Sequence, residues 1–238
     1  MMISLLLPTK NRTEKLKEAI DSVSNTITKR RPIEILIGIE KDDKNTLNSI
    51  NEINVPPSVS IKPVIFNQFE YVNNKYNILA SKASGDLIFA FSDDLLFLTK
   101  NWDLILVKEF KLIPKDNIFV MWVNDGKGSE SLPRHQILHK DFIKIKGSFA
   151  PPLFKHFFTD NWMWEIAIGI NRYKYLNNIV LEHRHAVFGY PADDLVIEEY
   201  TKYFEMDKTL FNTLQSARIA EINKLKEYIE DFKKKNVT

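Results

Sequence analysis

The feature that most constrains this chain is the alternation of short apolar segments with amphipathic ones over its first hundred residues. Ile3 to Leu7, Ile33 to Ile39, Val59 to Phe66 and Asp86 to Phe91 read as strands, and the last is apolar nearly throughout. A strand without polar alternation is buried on both faces, the condition inside a parallel sheet. Between the strands, Leu16, Ala19, Ile20 and Val23 fall at helical spacing, and Asn11 and Glu14 form a capping-box pattern ahead of them. Asp42 or Asp43 can cap a short helix, and Gly85 is placed to close a helix over Tyr71 to Ala83. This repetition predicts an α/β fold, a mostly parallel central sheet with helices on both faces. Ligands of such sheets bind beyond the carboxyl ends of the strands. The loops Pro8 to Arg12, Glu40 to Asp43 and Ser92 to Asp94 should therefore converge at one edge.

Beyond Trp102 the pattern is less regular. We expect a helix over Asn101 to Leu112, a strand at Ile118 to Val123, a polar loop to Pro133 and a strand at His135 to Leu138. An irregular aromatic stretch, Gly147 to Phe158, precedes a helix that starts at Asp160 or Asn161 and runs to Arg172. A short strand at Ile179 to Glu182 follows, and a helical tail from about Lys208 to Lys235. Ile222, Leu225, Ile229 and Phe232 give that tail an amphipathic face, for packing on the domain or for a membrane surface or partner. With no repeat or linker, residues 1–238 read as one domain: a ligand-binding half (1–100), a smaller mixed part (101–207) and a C-terminal helix (208–238).

Bulk properties exclude several classes. A net charge of +2 gives no general basic field for nucleic acid. The absence of cysteine removes disulfides, thiolate catalysis and cysteine-based zinc sites. No apolar run approaches the ~20 residues that span a bilayer. The first strand begins at Ile3, which leaves no room for a signal peptide, so a cytoplasmic protein is expected.

The strongest chemical signal is Phe89-Ala90-Phe91-Ser92-Asp93-Asp94, an apolar strand ending in two carboxylates. Such pairs hold hard cations like Mg²⁺ or Mn²⁺, which bind one or two side chains plus phosphate oxygens, or simply form a turn. Asp160 opens a helix, where aspartate also serves as a cap. Glu165 lies five residues on, roughly 140° round the helix, so the two acids point to different sides. Trp162 and Trp164 flank them and suit either a sugar face or the core. His183 and His185 share one face of a strand end, an arrangement for metal or phosphate, although zinc would need a third protein ligand. Asp193-Asp194 reads as a turn and helix cap or a second acidic site.

These blocks in their order resemble the family 2 glycosyltransferases and their GT-A relatives. The likeness runs from Ile3-Ser4-Leu5-Leu6-Leu7-Pro8-Thr9-Lys10-Asn11-Arg12, through Glu34-Ile35-Leu36-Ile37-Gly38-Ile39-Glu40 and Asn77 and Ala80, to Ala83-Ser84-Gly85-Asp86 and Ser92-Asp93-Asp94. The resemblance implies a GT-A-type, Rossmann-like sheet and transfer of a sugar from a nucleoside-diphosphate donor, UDP favoured, with inversion. The acceptor would be a carbohydrate or glycoconjugate. Pro8, Thr9 and Arg12 would line the nucleotide, with Asn77 on the donor side. Glu40 or Asp42 would meet the base or ribose. Asp93 would contact the ribose, and Asp94 would ligate Mn²⁺ or Mg²⁺ with His185 as the late histidine. Asp160 would be the general base, with Glu165 as the alternative. The Glu40-Lys41-Asp42-Asp43 stretch departs from the adjacent aspartates common in the family, leaving the base-contacting acid open.

Three rivals are weighed against this. A sugar nucleotidyltransferase needs a glycine-rich basic loop after its first strand, and no glycine precedes Gly38. A dehydrogenase needs G-x-G-x-x-G there. A non-catalytic binding module of the same fold would bind nucleotide sugars without turnover.

Overall fold

A computed structural model describes residues 1–126, 129–185, 189–190 and 201–236. Asp193-Asp194 lies outside the described residues. Eight strands form one sheet in the order β3-β2-β1-β4-β7-β6-β8-β5. They are β1 (Ile3–Pro8), β2 (Ile33–Glu40), β3 (Val59–Phe66), β4 (Leu87–Ala90), β5 (Leu95–Phe97), β6 (Val120–Asn124), β7 (Gln136–His139) and β8 (Tyr173–His183). β1, β2, β3 and β4 pair in parallel, and β6 pairs in parallel with β8. β7 runs antiparallel to both β4 and β6, and β5 antiparallel to β8. The sheet is mostly parallel, as expected, with its antiparallel part confined to the second half.

Successive residues of each strand face opposite ways, and the core follows that period. Ile3, Leu5 and Leu7 join Ile35, Ile37 and Phe89 on one face, whereas Leu6, Leu36 and Ile88 join the other. The first face is covered by α1 (Thr13–Thr26), through Leu16, Ile20 and Val23, and by α4 (Trp102–Phe110), through Trp102 and Leu106. The second is covered by α3 (Val72–Lys82), α5 (Lys140–Lys146) and α6 (Thr159–Ile170). α2 (Lys44–Ser49) is a short helix after β2. β3 lies at the sheet edge, exposed or half-buried between Val59 and Phe66, and carries Pro63, which an edge tolerates because proline cannot donate to a ladder.

Some local expectations change. Asn11 sits in the left-handed region (φ 54°) and Arg12 precedes α1 with no side-chain cap, so no capping box forms. Asp43, not Asp42, caps α2 by accepting the Thr46 N–H at 3.1 Å. Gly85 does not close α3, which ends at Ala83 with φ −70°. Instead the chain there presses on β1: a Cβ at Gly85 would lie 2.8 Å from the Ser4 backbone nitrogen. The predicted strand at Ile179 to Glu182 is the end of the much longer β8. The tail is two helices, α7 (Phe204–Thr213) and α8 (Gln215–Lys235). Leu225 and Ile229 of α8 are buried on the second face; each such side chain contributes roughly 1.5–3 kcal/mol. No helix among the described residues is long and apolar enough to cross a membrane.

Candidate active site

The three expected loops meet at the carboxyl edge of the parallel strands. Thr9 follows β1 and donates its hydroxyl to Asp93 Oδ2 at 2.7 Å, and Arg12 Nη1 donates to Asp93 Oδ1 at 3.1 Å. The Asn11 N–H donates to Asp43 Oδ2 at 2.7 Å, which ties the first loop to the second. These bonds hold Asp93, only 4% exposed, at the floor of a cleft of about 440 Å³. Pro8, Thr9, Arg12, Asp93, Asp94, Asp160 and His185 all line it.

Burial pushes the Asp93 carboxyl up to about 6; Arg12 opposes the rise and the neighbouring Asp94 adds to it. Burial also disfavours charge on Asp94, but hydrogen bonding and attraction from His183, with the Ser92 hydroxyl at 2.5 Å, hold it well below the usual carboxylate range. The Asp94 backbone carbonyl accepts the Arg184 N–H at 2.8 Å, so the end of β8 is fastened to the Ser92–Asp94 turn. His183 faces Asp94 Oδ2 at 3.8 Å through Nε2 and Asp125 Oδ2 at 3.4 Å through Nδ1. Burial alone would lower its pKa, but the two carboxylates raise it to about 9. Burial lowers that of His185. A carboxylate and an imidazole are donor types that a divalent cation takes.

Asp160 stands in the first turn of α6, and burial raises its carboxyl above the ordinary value against the Asn161 N–H that it accepts at 2.9 Å. Four sequence candidates are placed apart from the cleft lining. Glu165 pairs with Arg218 of α8 at 2.5 Å. Asp42 is exposed on the β2–α2 turn. Asn77 binds backbone: its Oδ1 accepts the N–H groups of Phe149 and Ala150, each at 2.9 Å, and so fixes the wall that they form. Glu40 is buried and held by Lys75 at 2.5 Å and Lys10 at 3.2 Å, so those two lysines, not the carboxylate, reach the cleft. Trp162 is buried beneath Arg218, and Trp164 packs edge-on against Trp122; both serve the core.

Sequence reasoning missed Asp125, Arg134, His135 and His156. Asp125 lies directly beyond an apolar strand, the same signal that marked Asp93. It is 2% exposed and receives a two-pronged bond from Arg134, Nε at 2.8 Å and Nη2 at 2.9 Å. Asp125, His135 and His183 bring three potential ligand atoms within 4.8 Å of one another. His156 lines the opposite wall, its pKa lowered to about 4 by burial. That wall is braced by Asp207 of α7, whose fully buried carboxylate accepts the N–H groups of Lys155, His156 and Phe157 at 3.0, 2.9 and 2.8 Å.

Solved structures of similar architecture are glycosyltransferases. TarS of S. aureus, residues 1–349 in complex with UDP, superposes with a TM-score of 0.59 at 15% identity, over 76% of this chain and 60% of that one. The same fragment with UDP-GlcNAc gives 0.59 at 15%, over 78% and 59%. The mannosyltransferase PcManGT of Pyrobaculum calidifontis, with GDP-Man and Mn²⁺, gives 0.61 at 11%, over 96% and 74%. At these identities the likeness shows the fold. The chain spans 36% of the longer TarS chain and about three fifths of the 1–349 fragment. Comparison with curated protein sequences gives no match. The sequence profile of Glycosyl transferase family 2 matches residues 4–184, from β1 through the Ser92–Asp94 turn to the end of β8. That stretch, most of the sheet together with the turn that carries Asp93 and Asp94, makes the chain a member of glycosyl transferase family 2.

Proposed function

We propose that this chain transfers a sugar, with inversion, from a nucleoside-diphosphate donor, UDP favoured, to a hydroxyl of a carbohydrate or glycoconjugate acceptor, assisted by Mn²⁺ or Mg²⁺. The observation that carries the reading is the meeting of the Pro8–Arg12 loop, Asp93-Asp94, His185 and Asp160 in one cleft of about 440 Å³, within the size range of small-molecule sites. The UDP and UDP-GlcNAc complexes of TarS support the choice of base.

In this reading Pro8, Thr9 and Arg12 line the nucleotide and Asp93 orients the ribose. Asp94 and His185 would hold the cation, which would supply Lewis-acid stabilisation of the departing diphosphate. Lys10 and Lys75 face the donor with Glu40 as their counter-ion, and Asn77 acts through the Phe149–Ala150 wall. Asp160 removes the proton from the acceptor hydroxyl as that oxygen bonds to the anomeric carbon. The bond to the diphosphate oxygen breaks and its electron pair leaves with the diphosphate. The raised pKa of Asp160 suits a base better than an ordinary carboxylate would.

Thermal melts with UDP, GDP and CDP, each with Mn²⁺ or EDTA, test the reading. A ligand at a hundredfold excess over its Kd stabilises by about 2.7 kcal/mol. UDP with Mn²⁺ should give the largest shift. Equal shifts in Mn²⁺ and EDTA would remove the metal, preference for GDP would change only the base, and no shift with any nucleotide would overturn the reading. Released nucleotide from UDP-sugars separates an enzyme from a binding module.

A further inference from the structure

We propose that Asp125, His135 and His183 form a second metal site, of the zinc class, distinct from the cation position beside Asp94. The topology brings the three together. Asp125 follows β6 and His183 ends β8, which run parallel; His135 precedes β7, which runs the other way and so starts at the same edge. Three neighbouring strands therefore deliver one ligand each to one point.

The distances fit a small tetrahedral ion. Asp125 Oδ2 is 3.4 Å from His183 Nδ1 and 3.5 Å from His135 Nε2. Ligands on bonds of about 2.0–2.1 Å in a tetrahedron stand about 3.3–3.4 Å apart. The second observation is a poorly satisfied buried nitrogen: His135 is 9% exposed, and its Nε2 makes no hydrogen bond of good geometry among the described residues, with Asp125 Oδ2 no nearer than 3.5 Å. A buried imidazole nitrogen left this way costs stability unless something fills the gap, and a metal ion accepts its lone pair directly.

Two imidazole nitrogens and one carboxylate oxygen suit Zn²⁺, whereas Mg²⁺ and Mn²⁺ favour oxygen; His183 Nδ1 gives up its proton as the ion takes its place beside Asp125. The Arg134 fork on Asp125 is the outer-shell bond that orients a ligating carboxylate. His135 and His183 both line the cleft, so the fourth position opens toward it. Through His183 the site also sets the ring whose Nε2 faces Asp94. The inference does not depend on sugar transfer.

The test is a zinc titration of chelator-stripped protein in excess Mg²⁺, read by competition with a chromophoric chelator, with Co²⁺ substitution as a spectroscopic check. The expected result is one Zn²⁺ per chain and the visible bands of four-coordinate Co²⁺. His135→Gln and Asp125→Asn should lose the site. Arg134→Gln should weaken it about 10–100-fold, and Asp94→Asn should keep it. Absence of stoichiometric zinc in the unsubstituted protein overturns the proposal and leaves an imidazolium clamp between two carboxylates. So does zinc that survives His135→Gln and Asp125→Asn but is lost in Asp94→Asn. If zinc binds as expected while UDP gives no melting shift, the site stands and the donor reading fails.

Discussion

The two halves of the sheet are held by different means. From β1 to β4 the strands pair in parallel over a mostly apolar core, with Glu34 buried against Ser4 and Lys62 as its main polar exception, and the Ser92–Asp94 turn follows β4. In the second half the cleft walls are irregular loops fixed by buried polar ties: Asn77 to the backbone of Phe149 and Ala150, Asp207 to residues 155–157, Arg134 to Asp125. Apolar packing tolerates modest change, because hydrophobic surface is non-directional. A buried polar tie does not, since removing one partner strands the other. The first half should therefore resist substitution except where groups touch ligand or backbones touch, and the second half should fail at single bonds.

The largest effect is expected at Asp94. Asp94→Ala removes the assigned cation ligand, a loss of several kcal/mol in transition-state stabilisation, or about 10³-fold in turnover. Near-normal release of nucleotide in Mn²⁺ would break the assignment. Asp160→Asn should slow transfer by about 10²-fold, the scale of general base catalysis, while UDP–Mn²⁺ melting shifts stay. Its raised pKa also predicts that activity falls on the acid side as pH drops through a value above the ordinary ~3.9 of aspartate. That limb should vanish in the variant; a limb that persists assigns it to another group.

Asp207→Ala strands three half-buried N–H groups and should cost about 2–4 kcal/mol by urea unfolding, although the residue does not line the cleft. A loss under about 0.5 kcal/mol, the scale of an ordinary surface change, would erase the contrast between the halves. Gly85→Ala sharpens it from the other side. Its Cβ would crowd the β1 backbone at 2.8 Å, an overpacking cost of about 1–3 kcal/mol with nucleotide affinity unchanged. Glu165→Gln should be the mildest. It loosens a partly exposed ion pair with Arg218, worth about 1 kcal/mol or less, and should leave turnover intact. A loss of turnover here with normal Asp160→Asn would move the base to Glu165.

The same contrast explains what could be read from the residues alone. Unbroken apolar runs such as Leu87 to Ala90 specify interior strands, and the carboxylates beyond them announce a site, so Asp93, Asp94 and the loop at Thr9 and Arg12 were legible. Asp125 carried the same signature after Ile118 to Val123 but lay in a polar stretch that read as a loop. Most of β8 was hidden by its outward residues, such as Asn177 and Asn178, which break the apolar pattern. Ties such as Asp207 to residues 155–157 join positions some fifty residues apart, and no local period encodes such a pairing. Glu40 looked like a ligand because of where it stands; that two lysines occupy it depends on a helix whose docking the sequence does not state.

The place of β4 in the sheet carries a consequence for the chain while it is being made. β4 is among the most apolar strands, yet the neighbour that covers its second edge is β7, which begins 46 residues beyond Ala90, at Gln136. At ~5–20 residues per second of synthesis, that edge waits on the order of several seconds with its backbone groups unpaired. An unpaired apolar edge is a template for other chains. A fragment ending near residue 100 would keep that edge open for good, so the first hundred residues should aggregate when expressed without the remainder of the sheet.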